Sequence, residues 1–191
     1  IGSAAPFESK IPKLVWRGTT TGDDWTTRTI ANSARYKLVK IGLENSNIID
    51  AYFNNCCQRD RALEQLLRSG GFIKGWMSVE DQAKYRYQIL VDGNSATWCR
   101  TYWQLFSGAL IFKQKSDWIL PVHYGIKPGV HYVEVQNDLS DLLEKLQWAI
   151  DSPNEARAIA QNALDFAKDN VTYNNLLAYV YLSLQEYKNC W

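Results

Sequence analysis

The sequence predicts an α/β fold: a Rossmann-like, mostly parallel sheet with helices on both faces and a helical C-terminus. Three observations carry this expectation. Short β-prone runs alternate with amphipathic stretches of helical spacing. The clearest run, Tyr87-Gln88-Ile89-Leu90-Val91, is continuous enough for a central strand covered on both faces. The last third of the chain is patterned as helix throughout. With 191 residues, 46% of them hydrophobic and 21% charged, the chain is one ordinary globular domain with room for a real core.

Lys13-Leu14-Val15-Trp16 reads as the first strand, ending at Arg17-Gly18. A polar helical stretch from Thr26 to Lys40 follows, on the spacing of Ile30, Ala34, Leu38 and Ile41. Ile48-Ile49-Asp50 is a second strand candidate. Between Arg59 and Ser69, Ala62, Leu63, Leu66 and Leu67 share a helical face, and Gly70-Gly71 stops it. The central strand ends in the turn Asp92-Gly93-Asn94-Ser95, which leads into a helix from Ala96 to Phe106. After Gly108 come two further strand candidates, Ala109 to Phe112 and Val130 to Val135.

Helix signals dominate from there. Asp138 is expected to cap a helix whose stripe is Leu139, Leu142, Leu143, Leu146 and Ile150. Ser152-Pro153-Asn154-Glu155 has the pattern of a capping box with proline at the first helical position. The stripe behind it, Ala156, Ile159, Ala160, Ala163 and Ala167, is small enough for close packing. Thr172 opens a last helix carrying Leu176, Leu177, Val180 and Leu184.

Composition excludes several functions. The 21 basic and 20 acidic side chains leave a net charge of +1, which argues against a duplex nucleic-acid binder. No apolar run approaches the ~20 residues of a membrane span. The start, Ile1-Gly2-Ser3-Ala4-Ala5-Pro6, lacks the pattern of a signal peptide and an initiator Met, as expected of a fragment or a processed chain. Cys56, Cys57, Cys99 and Cys190 form no C-x-x-C pair, and His123 and His131 are the only histidines, so no metal site is expected. The cysteines are read as reduced, mostly buried thiols of a reducing compartment, with a disulfide left open. The 8 Trp, 11 Tyr and 6 Phe include rings of the kind that stack on sugars or bases, although such rings more often fill cores.

In a parallel sheet ligands bind beyond the carboxyl ends of the strands. Two strand-end turns therefore stand out. Trp16-Arg17-Gly18-Thr19-Thr20-Thr21-Gly22 combines a fixed cation, two glycines and three hydroxyls before a helix, a composition suited to phosphate. It is neither a Walker loop nor a G-x-G-x-x-G fingerprint, and Asp23-Asp24 would repel an anion unless they point away. On spacing alone a plain polar turn is the favoured reading. The second turn, Asp92-Gly93-Asn94-Ser95, offers groups for ribose or sugar hydroxyls, with Arg100 one helical turn on; its bland reading is a tight turn with an N-cap. His123 and His131 sit in Pro121 to Tyr132, where either could act as a base or serve a structural role. There is no nucleophile elbow and no H-E-x-x-H, so a hydrolase has little support.

Taken in order, five segments resemble glycosyltransferase family 90, which includes Rumi-type protein O-glucosyltransferases, capsule-associated xylosyltransferases and bacterial lipopolysaccharide-modification proteins. They are Lys10 to Gly22, Tyr85 to Ser95, Ser107 to Lys113, Lys127 to Val133 and Asp138 to Leu142. The resemblance implies the C-terminal half of a GT-B glycosyltransferase, holding a UDP-sugar of the glucose or xylose type. It further implies inverting transfer to an acceptor hydroxyl on a glycan or protein, with no metal or other cofactor on the diphosphate. By position, Arg17, Gly18, Thr19 and Thr20 match the family's W-R-G loop and Asp92, Gly93, Asn94 and Ser95 its D-G-N-S turn, while Arg100 falls near an arginine of many members. Two stretches depart from the pattern. The usual K-P-W-V-H-Y reads Lys127-Pro128-Gly129-Val130-His131-Tyr132, losing an aromatic expected near the cleft, and Thr97-Trp98-Cys99-Arg100 diverges.

The family's catalytic carboxylate belongs largely to an N-terminal domain, and about a dozen residues precede the W-R-G loop here. The base is expected to be absent, and the isolated chain inactive, as the donor-binding domain of an enzyme whose N-terminal acceptor domain is missing. The alternative is a non-catalytic Rossmann-like binding or scaffold module. A bacterial, cytoplasmic setting is the expected location.

Overall fold

The computed structural model describes residues 4–190; Ile1-Gly2-Ser3 of the leader reading and the terminal Trp191 lie outside them. Strands β1 (Ile11–Thr19), β2 (Ile49–Asn55), β3 (Tyr85–Leu90), β4 (Leu110–Gln114) and β5 (Val133–Val135) form one all-parallel sheet. Their spatial order is β2-β1-β3-β4-β5. Leu14, Val15, Trp16 and Arg17 of β1 are buried in succession, as expected for a strand with a neighbour on each side and a layer on each face. At the edge, β2 alternates: Ile49, Ala51 and Phe53 are buried, while Asp50 and Tyr52 are partly open.

The chain passes from β1 to β2 through helix α1 (Ala34–Glu44), then returns past β1 to β3 by way of α2 (Arg61–Ser69) and the short α3 (Val79–Ala83). This reversal creates a switch point, where the carboxyl ends of β1 and β3 diverge and open a crevice. Helix α4 (Trp98–Leu105) links β3 to β4, and α5 (Leu142–Asp151), α6 (Pro153–Asn170) and α7 (Tyr173–Asn189) complete the chain. One core cluster joins Leu38 of α1, Leu63 and Leu67 of α2 and Leu142 and Leu146 of α5 to Ile49, Phe53, Ile89 and Phe112 of the sheet. A second cluster joins Leu105 of α4 and Ala163 and Ala167 of α6 to Leu90 and Ile111. The sheet is thus covered on both faces, as predicted.

Several boundaries differ from the sequence reading. Helix α1 starts at Ala34, not Thr26, because Ser33 caps it by accepting from the Tyr36 amide, while Ile30–Asn32 form only a 3₁₀ turn. Helix α5 starts at Leu142: Asp138 instead accepts from the Ser140 amide at 3.0 Å, and Leu139 adopts a φ of +62° that no helix accommodates. Pro153 does open α6, but Ser152 makes no side-chain cap bond, so the box pattern is present without its hydrogen bonds. Thr172 caps α7 as expected, accepting from the Asn175 amide at 3.1 Å. None of the described α7 residues is buried, and Leu176, Leu177, Val180 and Leu184 are all exposed. Among the described residues no helix is long and apolar enough to cross a membrane.

Candidate functional site

The two turns singled out in the sequence meet at the switch point. The Gly22 amide donates to Asn94 Oδ1 at 2.9 Å. Gly22 has φ +97°, and a Cβ there would lie 2.4 Å from Gly93 O; a Cβ on Gly93 would lie 2.6 Å from Arg35 Nη2. Gly22 is therefore required by the approach of one turn to the backbone of the other, while Gly93 leaves room for the side chains of Arg35 and Thr21.

Arg17 does not face this crevice. Its guanidinium is 1% exposed and lies against β2, where Nη2 meets Asp50 Oδ1 at 2.8 Å and Nη1 donates to Asp50 O at 2.7 Å. Strand alternation explains the direction: Val15 pairs with Asp50 and Arg17 with Tyr52, so Arg17 and Asp50 share the face opposite Trp16 and Phe53. Tyr85 donates a second bond to Asp50, at 2.7 Å, and is itself pushed up to about 12 by burial and by that carboxylate. Burial works to raise the carboxyl of Asp50, but the bonds from Tyr85 and Arg17 outweigh it and hold the group below its ordinary value.

Two other arginines occupy the crevice. Arg35, on the first turn of α1, donates to Thr19 O (2.9 Å), Asp92 O (2.8 Å) and Val91 O (3.2 Å), and to Thr21 Oγ1. Arg100, on α4, donates to Arg17 O and to Gln82 Oε1 at 3.1 Å. Among the described residues neither arginine forms an ion pair with a carboxylate; their acceptors are carbonyl, amide and hydroxyl oxygens. Burial pushes Arg35 down to about 10 against the pull of Asp92 and Asp23, and burial, then repulsion from Arg35, pushes Arg100 down to about 10. Both remain charged at neutral pH. Two mutually repelling cations held at strand ends, in contact with no carboxylate and with only Asp92 and Asp23 nearby to offset Arg35, make a site that favours an anion.

Sequence reading found Arg100 but missed Arg35. A basic residue in the first turn of a helix opposes the helix dipole, but a helix read from Thr26 puts Arg35 in its middle, so the signal emerges only once α1 is seen to start at Ala34. The remaining site candidates have distinct surroundings. The Thr20 hydroxyl is consumed in holding Cys57, whose amide donates to it at 2.7 Å, so it tethers the first turn to the end of β2. Gly18 and Thr19 line a cavity of about 540 Å³ together with Arg35, Asn94, Ser95 and Arg100. An adjoining cavity of about 590 Å³, lined by Asp92, Gln114, Asn137 and Ser140 among others, shares Gly93 with the first. In this second cavity burial raises the carboxyl of Asp92. The N-terminus of α4 carries no side-chain cap, since Thr97 Oγ1 is paired with Thr101 Oγ1 at 2.8 Å.

The histidines stand apart from both cavities. His123 Nδ1 accepts from the Leu120 amide at 3.1 Å, and burial pushes its pKa down to about 4. His131 Nδ1 accepts from the Lys127 amide at 2.9 Å, so both rings hold turns in place. Gly129 precedes β5, at the amino end of the strand, and lines neither cavity. The four cysteines are free, but only Cys56 is buried; Cys57 is half-buried, and Cys99 and Cys190 are exposed, contrary to the expectation of mostly buried thiols.

The chain is similar to known proteins in sequence and in fold. The chain is 33% identical over 183 residues to "Protein O-glucosyltransferase 2" of Danio rerio, an alignment that covers 95% of this chain and 33% of the relative. It thus spans about a third of the length of that curated relative. An animal relative lends no support to the expected bacterial, lipopolysaccharide-related setting. In fold, the chain is similar to Anabaena HepE in complex with UDP and glucose, with TM-score 0.59 and 14% identity over 90% of this chain and 48% of that one. It is similar also to the C-terminal domain of a glycosyl transferase group 1 family protein, LpcC of Francisella tularensis, with TM-score 0.55 and 13% identity over 87% and 89%. These likenesses show a GT-B type of fold. The family model of "Glycosyl transferase family 90" matches residues 2–190, and the chain belongs to that family.

Proposed function

We propose that this chain is the donor-binding half of a glycosyltransferase that moves a glucose- or xylose-type sugar from a UDP-sugar to an acceptor hydroxyl, with inversion and without a metal on the diphosphate. The observation that carries the reading is the pair Arg35 and Arg100, two cations without carboxylate partners at the switch point. A diphosphate lying over Gly93 would reach both cavities, with the nucleoside among the polar groups around Asp92, Asn137 and Ser140 and the sugar beside Arg100. Arg17 serves here through its backbone, since its carbonyl orients Arg100.

In the transfer itself the acceptor oxygen attacks the anomeric carbon as the bond from that carbon to the β-phosphate oxygen breaks. UDP leaves with the electron pair, and Arg35 and Arg100 stabilise the charge it gains. The acceptor proton passes to a base supplied from outside this chain, on an N-terminal acceptor domain. The isolated chain therefore binds donor and transfers nothing.

Calorimetry with UDP tests this. Saturable binding is expected from the wild-type chain, weakened at least about tenfold by Arg100→Ala, the loss of one charge-assisted contact. Absence of heat from the wild type would sink the reading. It would favour instead a scaffold module that has lost nucleotide binding, for which the exposed apolar side chains of α7 would supply a contact face.

A further inference from the structure

Trp98 is the first residue of α4, and two features of it go unexplained by the fold. Its indole is 68% exposed, although a ring of that size gains most by burial. Its backbone sits at φ +35°, a region that bulky L-residues avoid. The ring is nevertheless fixed in place, because Nε1 donates to Ser95 Oγ at 2.9 Å. It lines the same cavity as Arg100 and Arg35, and Trp76, 76% exposed, lines that cavity too. The cavity thus combines cations without carboxylate partners with an indole anchored at its edge and open to solvent.

A pyranose ring has one face of C–H groups and a rim of hydroxyls. It is recognised by an aromatic plane beneath it and polar groups around it, which this cavity supplies through Trp98 and through Asn94 and Thr19. We propose that Trp98 is the platform on which the sugar ring of the donor stacks, and that it selects for a glycosylated over a bare nucleotide. This rests on the donor-binding reading above. The strained backbone and the Ser95 bond are then explained together, as the means of holding an indole outward beside the diphosphate rather than letting it collapse into the core.

The test compares Trp98→Phe, which keeps an aromatic face, with Trp98→Leu, which keeps apolar bulk without one, by calorimetry with UDP and with UDP-glucose. Trp98→Leu is expected to weaken UDP-glucose about tenfold and leave UDP unchanged, while Trp98→Phe, which keeps an aromatic face but loses the bond to Ser95, is expected to weaken UDP-glucose by less and also leave UDP unchanged. Equal losses for the two ligands would place Trp98 against the nucleotide or in the fold and overturn the proposal. So would unchanged UDP-glucose affinity in Trp98→Leu, or a wild-type chain that binds UDP but not UDP-glucose. A wild-type chain that binds neither ligand overturns the donor reading itself, and this proposal falls with it.

Discussion

Arg17 and Asp50 form a 2.8 Å ion pair on one face of the sheet, and this pair separates two arginines that the sequence presents alike. Arg17 lies in the segment that resembles a phosphate loop, yet its charge is spent on β2. Arg100 lies in a divergent segment, yet its guanidinium borders the cavity and leans on the Arg17 carbonyl.

The two substitutions should therefore separate stability from binding. Arg17→Ala leaves the largely buried Asp50 carboxylate with Tyr85 and, at 3.5 Å, Lys74 as its partners, and is expected to cost about 2 kcal/mol in urea unfolding. Arg100→Ala removes two hydrogen bonds near the surface of a cavity, expected to cost about 1 kcal/mol, while UDP binding falls. Equal stability losses in the two variants would contradict the assignment.

Gly22→Ala should push the two turns apart. The new Cβ meets Gly93 O at 2.4 Å, and the φ of +97° is strained for alanine as well, so a loss of about 2 kcal/mol is expected. Urea unfolding measures the loss, and the Asn94 side-chain amide resonances should shift in nuclear magnetic resonance spectra as the bond from Gly22 breaks.

Acid should destabilise the fold in two steps. His123 is held neutral, with its pKa down at about 4, so the unfolded chain, protonating near the ordinary value of about 6.5, takes up more protons as pH falls between them. Stability contributed by this ring is intact above about pH 6.5 and declines toward about pH 4. The carboxyl of Asp50 is lowered, so its contribution persists below that range and is lost only as pH falls below the ordinary carboxylate value. Chemical unfolding as a function of pH checks the order, and the His123 ring resonances should show no titration above pH 5.

Helix α7 should add little to the stability of the domain. Truncation after Asn170 removes no buried residue of that helix, so the thermal midpoint should move by only a few degrees, while exposed apolar surface falls. Differential scanning calorimetry measures this directly. A large drop in the midpoint would mean that α7 contributes to the core.

Legibility differed from element to element. The strand Tyr87 to Val91 and the helix after Pro153 were read within a residue or two, because apolar runs and a proline at a helix start are local signals. The starts of α1 and α5 were misplaced because several polar residues could have served as caps, and backbone geometry at Ser33 and Leu139 chose among them. Composition and place at strand ends singled out both turns but favoured plain turns for each; only the family resemblance made them site candidates, and the structure brings them together at the crevice.

Order along the chain settled the alternation of strands and helices, the family, and the two segments that build the crevice, since each depends on neighbours in sequence. Tertiary structure alone decided which cation is committed and which is open. Arg17 finds Asp50 only because β2 pairs with β1 in a register that sets both on one face. Arg35 becomes part of the site only because α1 starts beneath the carboxyl ends of β1 and β3, where carbonyls rather than carboxylates receive it. A side chain's charge is written in the sequence, but its partner is chosen by whatever the fold brings within hydrogen-bond reach.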